Sequence, residues 1–203
     1  MRNLFFTIII VLYVFVFIYL VSTFLKNSAS KKLANALIKK DDDKFKKISK
    51  SLGGRLINRS GVLDIKLNYY MDQYNHVNIE NTIKEISELK LSNSEIKALY
   101  PKIFYYYIQR NKDNEAIKYY NVLKDLKYSN KKLVDGIYNA FIEGKADLLD
   151  DTLKLIKKAD KEDLPIIEGT ISKMYENIND NPNAKKYRRL SEKHQKELDI
   201  KKR

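Results

Sequence analysis

No part of this chain constrains its fold more than residues 4–25, LFFTIIIVLYVFVFIYLVSTFL. The run carries no charge from Leu4 to Leu25, and Thr7, Ser22 and Thr23 interrupt its apolar character. At about 1.5 Å per residue a helix of this length covers about 33 Å, enough to cross a hydrocarbon core of about 30 Å. The β-branched residues in the run would suit a strand in water. In lipid, an isolated segment satisfies its own backbone N–H and C=O groups only as a helix. A segment apolar on every side also has no face to turn toward water. The run therefore predicts an N-terminal transmembrane helix, with Tyr13 and Tyr19 inside it rather than in an interfacial belt.

A cleaved signal peptide is the competing reading. Arg2 supplies a basic start and Ser28-Ala29-Ser30 supplies small residues. The apolar run exceeds the about 7–15 residues of a signal core, and Lys26 follows it directly, which favours an anchor. With no cysteine in the chain, a lipoprotein-type attachment is excluded. Lys26, Lys31, Lys32, Lys39, Lys40 and Lys44 follow the run, against Arg2 on the other side. The positive-inside rule counts these cations, gives little weight to Asp41–Asp43, and points the rest of the chain toward the cytoplasm. A short tail with one arginine also suits a signal anchor that exports everything after it, so an extracytoplasmic domain stays open. The expected location is the cell membrane, with a single pass.

Three segments follow from this reading: a tail and anchor at 1–26, a helical domain at 27–198, and a basic tail at 199–203. The domain is long enough to bury one proper core. It is rich in Lys, Asn, Ile and Tyr, and its 32 Lys against 7 Arg point to the codon usage of an AT-rich, bacterial genome. The absence of cysteine removes disulfides and thiolate chemistry. A net charge of +13 implies an anionic neighbour such as lipid headgroups, nucleic acid, a wall polymer or an acidic partner. Nine Lys or Arg fall within residues 185–203, and Lys185, Lys186, Arg188 and Arg189 are the candidate anion-binding set. Cations at a helix end also satisfy the helix dipole, which needs no ligand.

Beyond the anchor the apolar pattern is helical almost throughout, and the punctuation agrees. Asn181-Pro182 and Asp163 with Pro165 open helices, Asp113-Asn114 opens another, and Gly144 closes one. Residues 53–61, with three glycines, read as an extended loop. Apolar positions also recur at a fixed interval of about 34 residues, the length of one helix-pair repeat. Ile103 and Tyr107 are followed one interval later by Ile137 and Phe141, and after another by Ile171 and Tyr175. Tyr70, Phe104 and Tyr138 share that spacing, as do Ile48, Thr82 and Ala116, with Leu149 and Ala184 less regular. Asn81-Thr82-Ile83-Lys84 overlays Glu115-Ala116-Ile117-Lys118 directly.

This arrangement resembles the tetratricopeptide repeat family. In that family's repeat unit a small residue on the second helix packs against a bulky aromatic on the first, as Ala116 and Tyr120 would against Tyr107. The best unit covers 97–130, recognisable ones 63–96 and 131–164, and degenerate ones 29–62 and 165–198. The family's early tryptophan is missing, its glycine is replaced by Phe104 or Tyr138, and Arg188 stands where an aromatic is expected. Pro101 falls inside a first helix or marks its start. The resemblance implies an all-α protein whose transmembrane helix precedes an α-solenoid of about five TPR-like helix pairs. It also implies a groove lined by Tyr74, Tyr105, Lys132 and Asn139, suited to an extended peptide. Tyr107 reads as interhelix packing, and Tyr105 is open between packing and groove.

Catalytic chemistry is not legible. His76 and His194 lie far apart, Asp41–Asp43 lacks the spacing of a calcium loop, and Gly53-Gly54 is not followed by a phosphate-loop Lys-Ser/Thr. No enzyme activity, cofactor, metal or small-molecule substrate is expected. The expected role is a membrane-anchored scaffold or adaptor that binds a partner protein or peptide. Two alternatives remain. In one, the basic C-terminal helix binds anionic lipid or nucleic acid while the repeats act as spacer. In the other, the chain is a structural subunit of a membrane complex. Nucleic acid ranks low, because only Tyr187 is interleaved with the basic cluster.

Overall fold

A computed structural model describes residues 2–201, and among these the chain is helical with no strand. Of the basic tail at 199–203, residues 202 and 203 lie outside the described residues. Helix α1 (Arg2–Ile38) contains no Gly or Pro and runs through residues 4–25 without a break. Ile9–Ile38 is, among the described residues, the one helix long and apolar enough to cross a membrane. Residues 10–21 are all exposed, so none of the described residues covers this surface. The predicted boundary at residue 26 falls inside a continuous helix. Beyond it the same helix becomes amphipathic: Ala29, Leu33, Ala36 and Leu37 share one face and are buried, while Lys31 and Lys32 are exposed.

The chain forms two compact units, divided at residues 91 and 92. In the first, that buried face of α1 packs on α2 (Asp42–Lys50), α3 (Leu52–Arg55) and α4 (Arg59–Asp72), and α4 packs on α5 (His76–Ser87). Ala29, Leu33 and Ile57 form a buried cluster joined by Phe45, Ile48, Val62 and Ile65. Short polar side chains start these helices. Asp41, Ser51, Asn58 and Asn75 each accept a hydrogen bond from the backbone N–H three residues on.

The glycine-rich stretch at 53–61 is therefore mostly helical rather than an extended loop. Its glycines answer to space. A Cβ on Gly53 would lie 2.6 Å from the Leu25 carbonyl oxygen, and one on Gly54 would lie 2.1 Å from that of Ile48.

In the second unit α6 (Asn93–Gln109) packs on α7 (Asp113–Leu123). Helix α8 (Lys131–Ile137) continues into a π turn (Tyr138–Ile142) and is followed by α9 (Leu149–Ile156), α10 (Leu164–Asn177) and α11 (Asn181–Lys201). Pro101 lies inside α6 rather than at its start. The helix begins two turns earlier at a Ser92–Glu95 capping box, which holds the segment that the proline interrupts. The cap of α11 is Asp180, one residue before the predicted Asn181, with Asn183 N–H donating to its carboxylate at 3.2 Å.

The helices come in sequential contacting pairs, and one backbone device closes each pair. Lys40, Tyr74, Asn111, Gly144 and Asn179 have φ of 53°, 51°, 51°, 65° and 61°. Each sits in the connection between two helices, and successive intervals stay close to the repeat length of about 34 residues. After four of them, the next N–H reaches back five residues: Asp41 to Ala36 O, Asn75 to Tyr70 O, Lys112 to Tyr107 O and Asp180 to Tyr175 O, all at 2.9–3.0 Å. This is the Schellman closure, in which a left-handed residue lets the chain satisfy carbonyls at a helix end. After Gly144 the bond runs from Lys145 N–H to Asn139 O, six residues back, because the π turn adds a residue.

Of the positions at that interval, Ile103, Ile137, Ile171, Phe104, Thr82, Ala116 and Ala184 are buried, while Ile48, Tyr70, Tyr138, Leu149 and Tyr175 are half-buried. Phe141 departs from this pattern and is 39% exposed, whereas Tyr107, one interval earlier, is buried.

Candidate functional site

The four residues expected to line a groove occupy different settings. Tyr74 is the left-handed residue between α4 and α5 in the first unit, 70% exposed. Tyr105 on α6 is half-buried and Lys132 on α8 is exposed, both in the second unit. Asn139 is not a surface residue: it is 4% exposed in the π turn. Its amide nitrogen donates to Glu143 Oε2 at 3.0 Å and its oxygen accepts from Leu148 N–H at 3.4 Å, at the start of α9. A buried amide must have its polar atoms paired, and here they hold the connection to α9. Asn177 does similar work from α10, donating to Ala140 O at 2.8 Å and Lys145 O at 3.0 Å.

Most of the tyrosines are packing. Tyr107 is buried and its ring is stacked with Tyr119 at 5.8 Å and 19°. Tyr120 is stacked with Tyr138 at 3.8 Å, and its hydroxyl donates to Asp135 Oδ1 at 3.2 Å. Burial first, then the Asp135 carboxylate, pushes the Tyr120 phenol well above its ordinary value. Lys131 pairs with the same Asp135 at 3.2 Å. These groups join α7 to α8 and the π turn.

The candidate anion-binding residues all lie on α11 and are exposed. Two already have internal partners: Arg188 pairs with Glu176, and the Lys186 ammonium lies 5.3 Å from the Tyr187 ring centre. Arg188, standing where the repeat pattern expects an aromatic, thus ties α11 to α10. Lys185 and Arg189 are one turn apart on one face.

Two arrangements have no counterpart in the sequence reading. On α10, Glu168 is 3% exposed and its Oε2 lies 2.8 Å from His194 Nδ1 on α11. Ser191 donates to Pro165 O at 2.7 Å beside it and Ser172 to Ala184 O at 2.8 Å, and with the Arg188–Glu176 pair these contacts pin α11 along α10. The two partners are 26 residues apart on helices whose relative rotation the sequence does not display.

The other arrangement is a cavity of about 780 Å³ in the first unit. Leu25, Ser28, Ala29 and Lys32 of α1 form one wall. Asp43, Lys44, Lys47 and Ile48 of α2 form another, and Ser51, Leu52 and Gly53 complete it. The signal lay in the spacing of Leu25, Ser28 and Lys32, which share a helix face, but the partner wall comes from α2 and the start of α3, whose packing against α1 the sequence does not display.

Among the described residues no group of three or more His, Cys, Asp or Glu is placed to hold a metal ion. Asp41, at the head of the acidic run, caps α2 by accepting from Lys44 N–H at 2.9 Å. The chain matches no protein-family model, no curated protein and no solved structure.

Proposed function

We propose that this protein is a membrane-tethered helical-repeat adaptor: α1 crosses the bilayer, and the helix pairs behind it hold a partner protein near the membrane. The observation that carries the reading is the run of left-handed closures at Lys40, Tyr74, Asn111, Gly144 and Asn179. Their regular spacing, close to one repeat length, supports a tetratricopeptide-like array of about five helix pairs, the first formed by the end of α1 with α2. Arrays of this kind serve recognition through their helix surfaces. The continuity of α1 supports a tether that enters the first pair without a linker. Such a tether raises the effective concentration of a membrane-bound partner, so weak contacts suffice. Flanking lysines favour the cytoplasmic side.

A photo-crosslinking residue at Tyr105 or Lys132 of the full chain, in its native membrane, tests this. A discrete adduct of one mass from both positions, and none from exposed Val122 on α7, is the expected outcome. Equal or absent crosslinking at all three would contradict partner recognition by this surface. The second reading, anion binding by α11, draws on Lys185 and Arg189, and for nucleic acid predicts binding that falls steeply with salt.

A further inference from the structure

The cavity walled by Leu25, Lys32, Lys44, Lys47 and Leu52 begins where the uncharged run of α1 ends. Along the helix, Ser28 lies about 4.5 Å and Lys32 about 10 Å past Leu25. The headgroup layer on each side of a bilayer is about 5–8 Å thick. The cavity therefore extends from the edge of the hydrocarbon through the headgroup zone. Gly53 fixes the depth of its opposite wall. A Cβ there would lie 2.6 Å from the Leu25 carbonyl oxygen, so α3 is pressed against the last turn of the apolar run. Leu52, next to Gly53, is 69% exposed at that level. In water an exposed leucine so placed is a cost; at the hydrocarbon edge it is buried in lipid.

The charges around the opening are complementary to a phosphate. Lys32 on α1 and Lys44 and Lys47 on α2 are all exposed, and Asp43 is the carboxylate among the described lining residues. Lysine stems lie along apolar surface while their ammonium groups follow the polar layer. Ser28 adds a hydroxyl. The apolar part of the lining is Leu25, Ala29, Ile48 and Leu52.

We propose that this cavity binds one anionic phospholipid of the bilayer that α1 enters, its phosphate held by the three lysines and its acyl chain along the leucine wall. The site rests on the insertion of α1 but not on partner recognition by the helix pairs.

The test uses the full chain in nanodiscs, followed by native mass spectrometry after release into detergent, with phosphatidylglycerol and phosphatidylcholine offered together. One phosphatidylglycerol retained per chain, at least about tenfold over phosphatidylcholine, is expected. Lys32→Gln, Lys44→Gln and Lys47→Gln should each weaken retention about fivefold. A Lys157→Gln/Lys158→Gln variant, at exposed lysines just after α9, should leave it unchanged. Equal retention of the two lipids, an unaffected triple lysine variant, or loss in the Lys157/Lys158 variant would overturn the site. Displacement of the lipid by glycerol 3-phosphate or by an acidic peptide would assign the cavity to a soluble ligand and overturn it as well. Failure of the chain to enter nanodiscs would overturn the insertion of α1, a result distinct from an inserted chain that retains no lipid.

Discussion

Tyr120 on α7 and Tyr138 at the start of the π turn stack with ring centres 3.8 Å apart and planes 9° from parallel. The contact joins two successive helix pairs, and Tyr120 also holds Asp135 through its hydroxyl. Tyr138→Ala should therefore cost about 2–3 kcal/mol, combining lost burial with a lost ring contact. Tyr120→Phe keeps the stack and should cost about 1 kcal/mol. Chemical denaturation of the detergent-solubilised chain distinguishes them. Equal losses would mean that the hydroxyl, not the stack, carries the junction.

Gly53 and Gly144 are glycines for different reasons, and alanine separates them. At Gly53 the new methyl meets the Leu25 backbone, so α3 must move and about 1–3 kcal/mol should be lost. At Gly144 nothing lies within 4 Å, and only the left-handed backbone at φ 65° is penalised, by about 1 kcal/mol. Gly53→Ala should also disturb phosphatidylglycerol retention, while Gly144→Ala should not.

Asp163, before the first turn of α10, has its carboxyl pushed up by burial, and further by Asp160 and Glu162. A raised folded-state value means that this group favours the fold when protonated. Its contribution is complete below the ordinary carboxylate range and is lost as pH rises through the raised value. Asp163→Asn, a good residue at a helix start, should thus raise the melting temperature at neutral pH. The gain should shrink to nothing as the pH falls below about 4. A gain that persists at pH 3 would point to helix capping instead of charge.

The helical class and the apolar run were legible because each rests on local periodicity. Ile103, Ile137 and Ile171 are buried because each lies on the inward face of its helix. The misread elements depend on what lies across a contact. Gly53 and Gly54 resemble loop glycines until α1 and α2 stand against them. Pro101 resembles a helix start until the capping box at Ser92 outweighs it. Asn139 occupies a groove position by count, yet the π turn and the start of α9 draw it inside. The Glu168–His194 pair and the cavity beside Leu25 each need two helices in a known rotation, which no single segment encodes.

The central claim is that α1 is one helix that leaves the bilayer near Leu25 and enters the folded domain without a break. The cysteine-free chain allows this to be measured directly with single cysteines placed along α1 and a membrane-impermeant maleimide. Substitutions at Tyr13, Val16 and Leu20 should resist labelling in intact membranes and label after detergent is added. Those at Asn27 and Lys31 should label from one side only, whereas Leu33→Cys stays protected in the folded domain even in detergent. Labelling of the positions between Tyr13 and Leu20 in intact membranes would contradict the account.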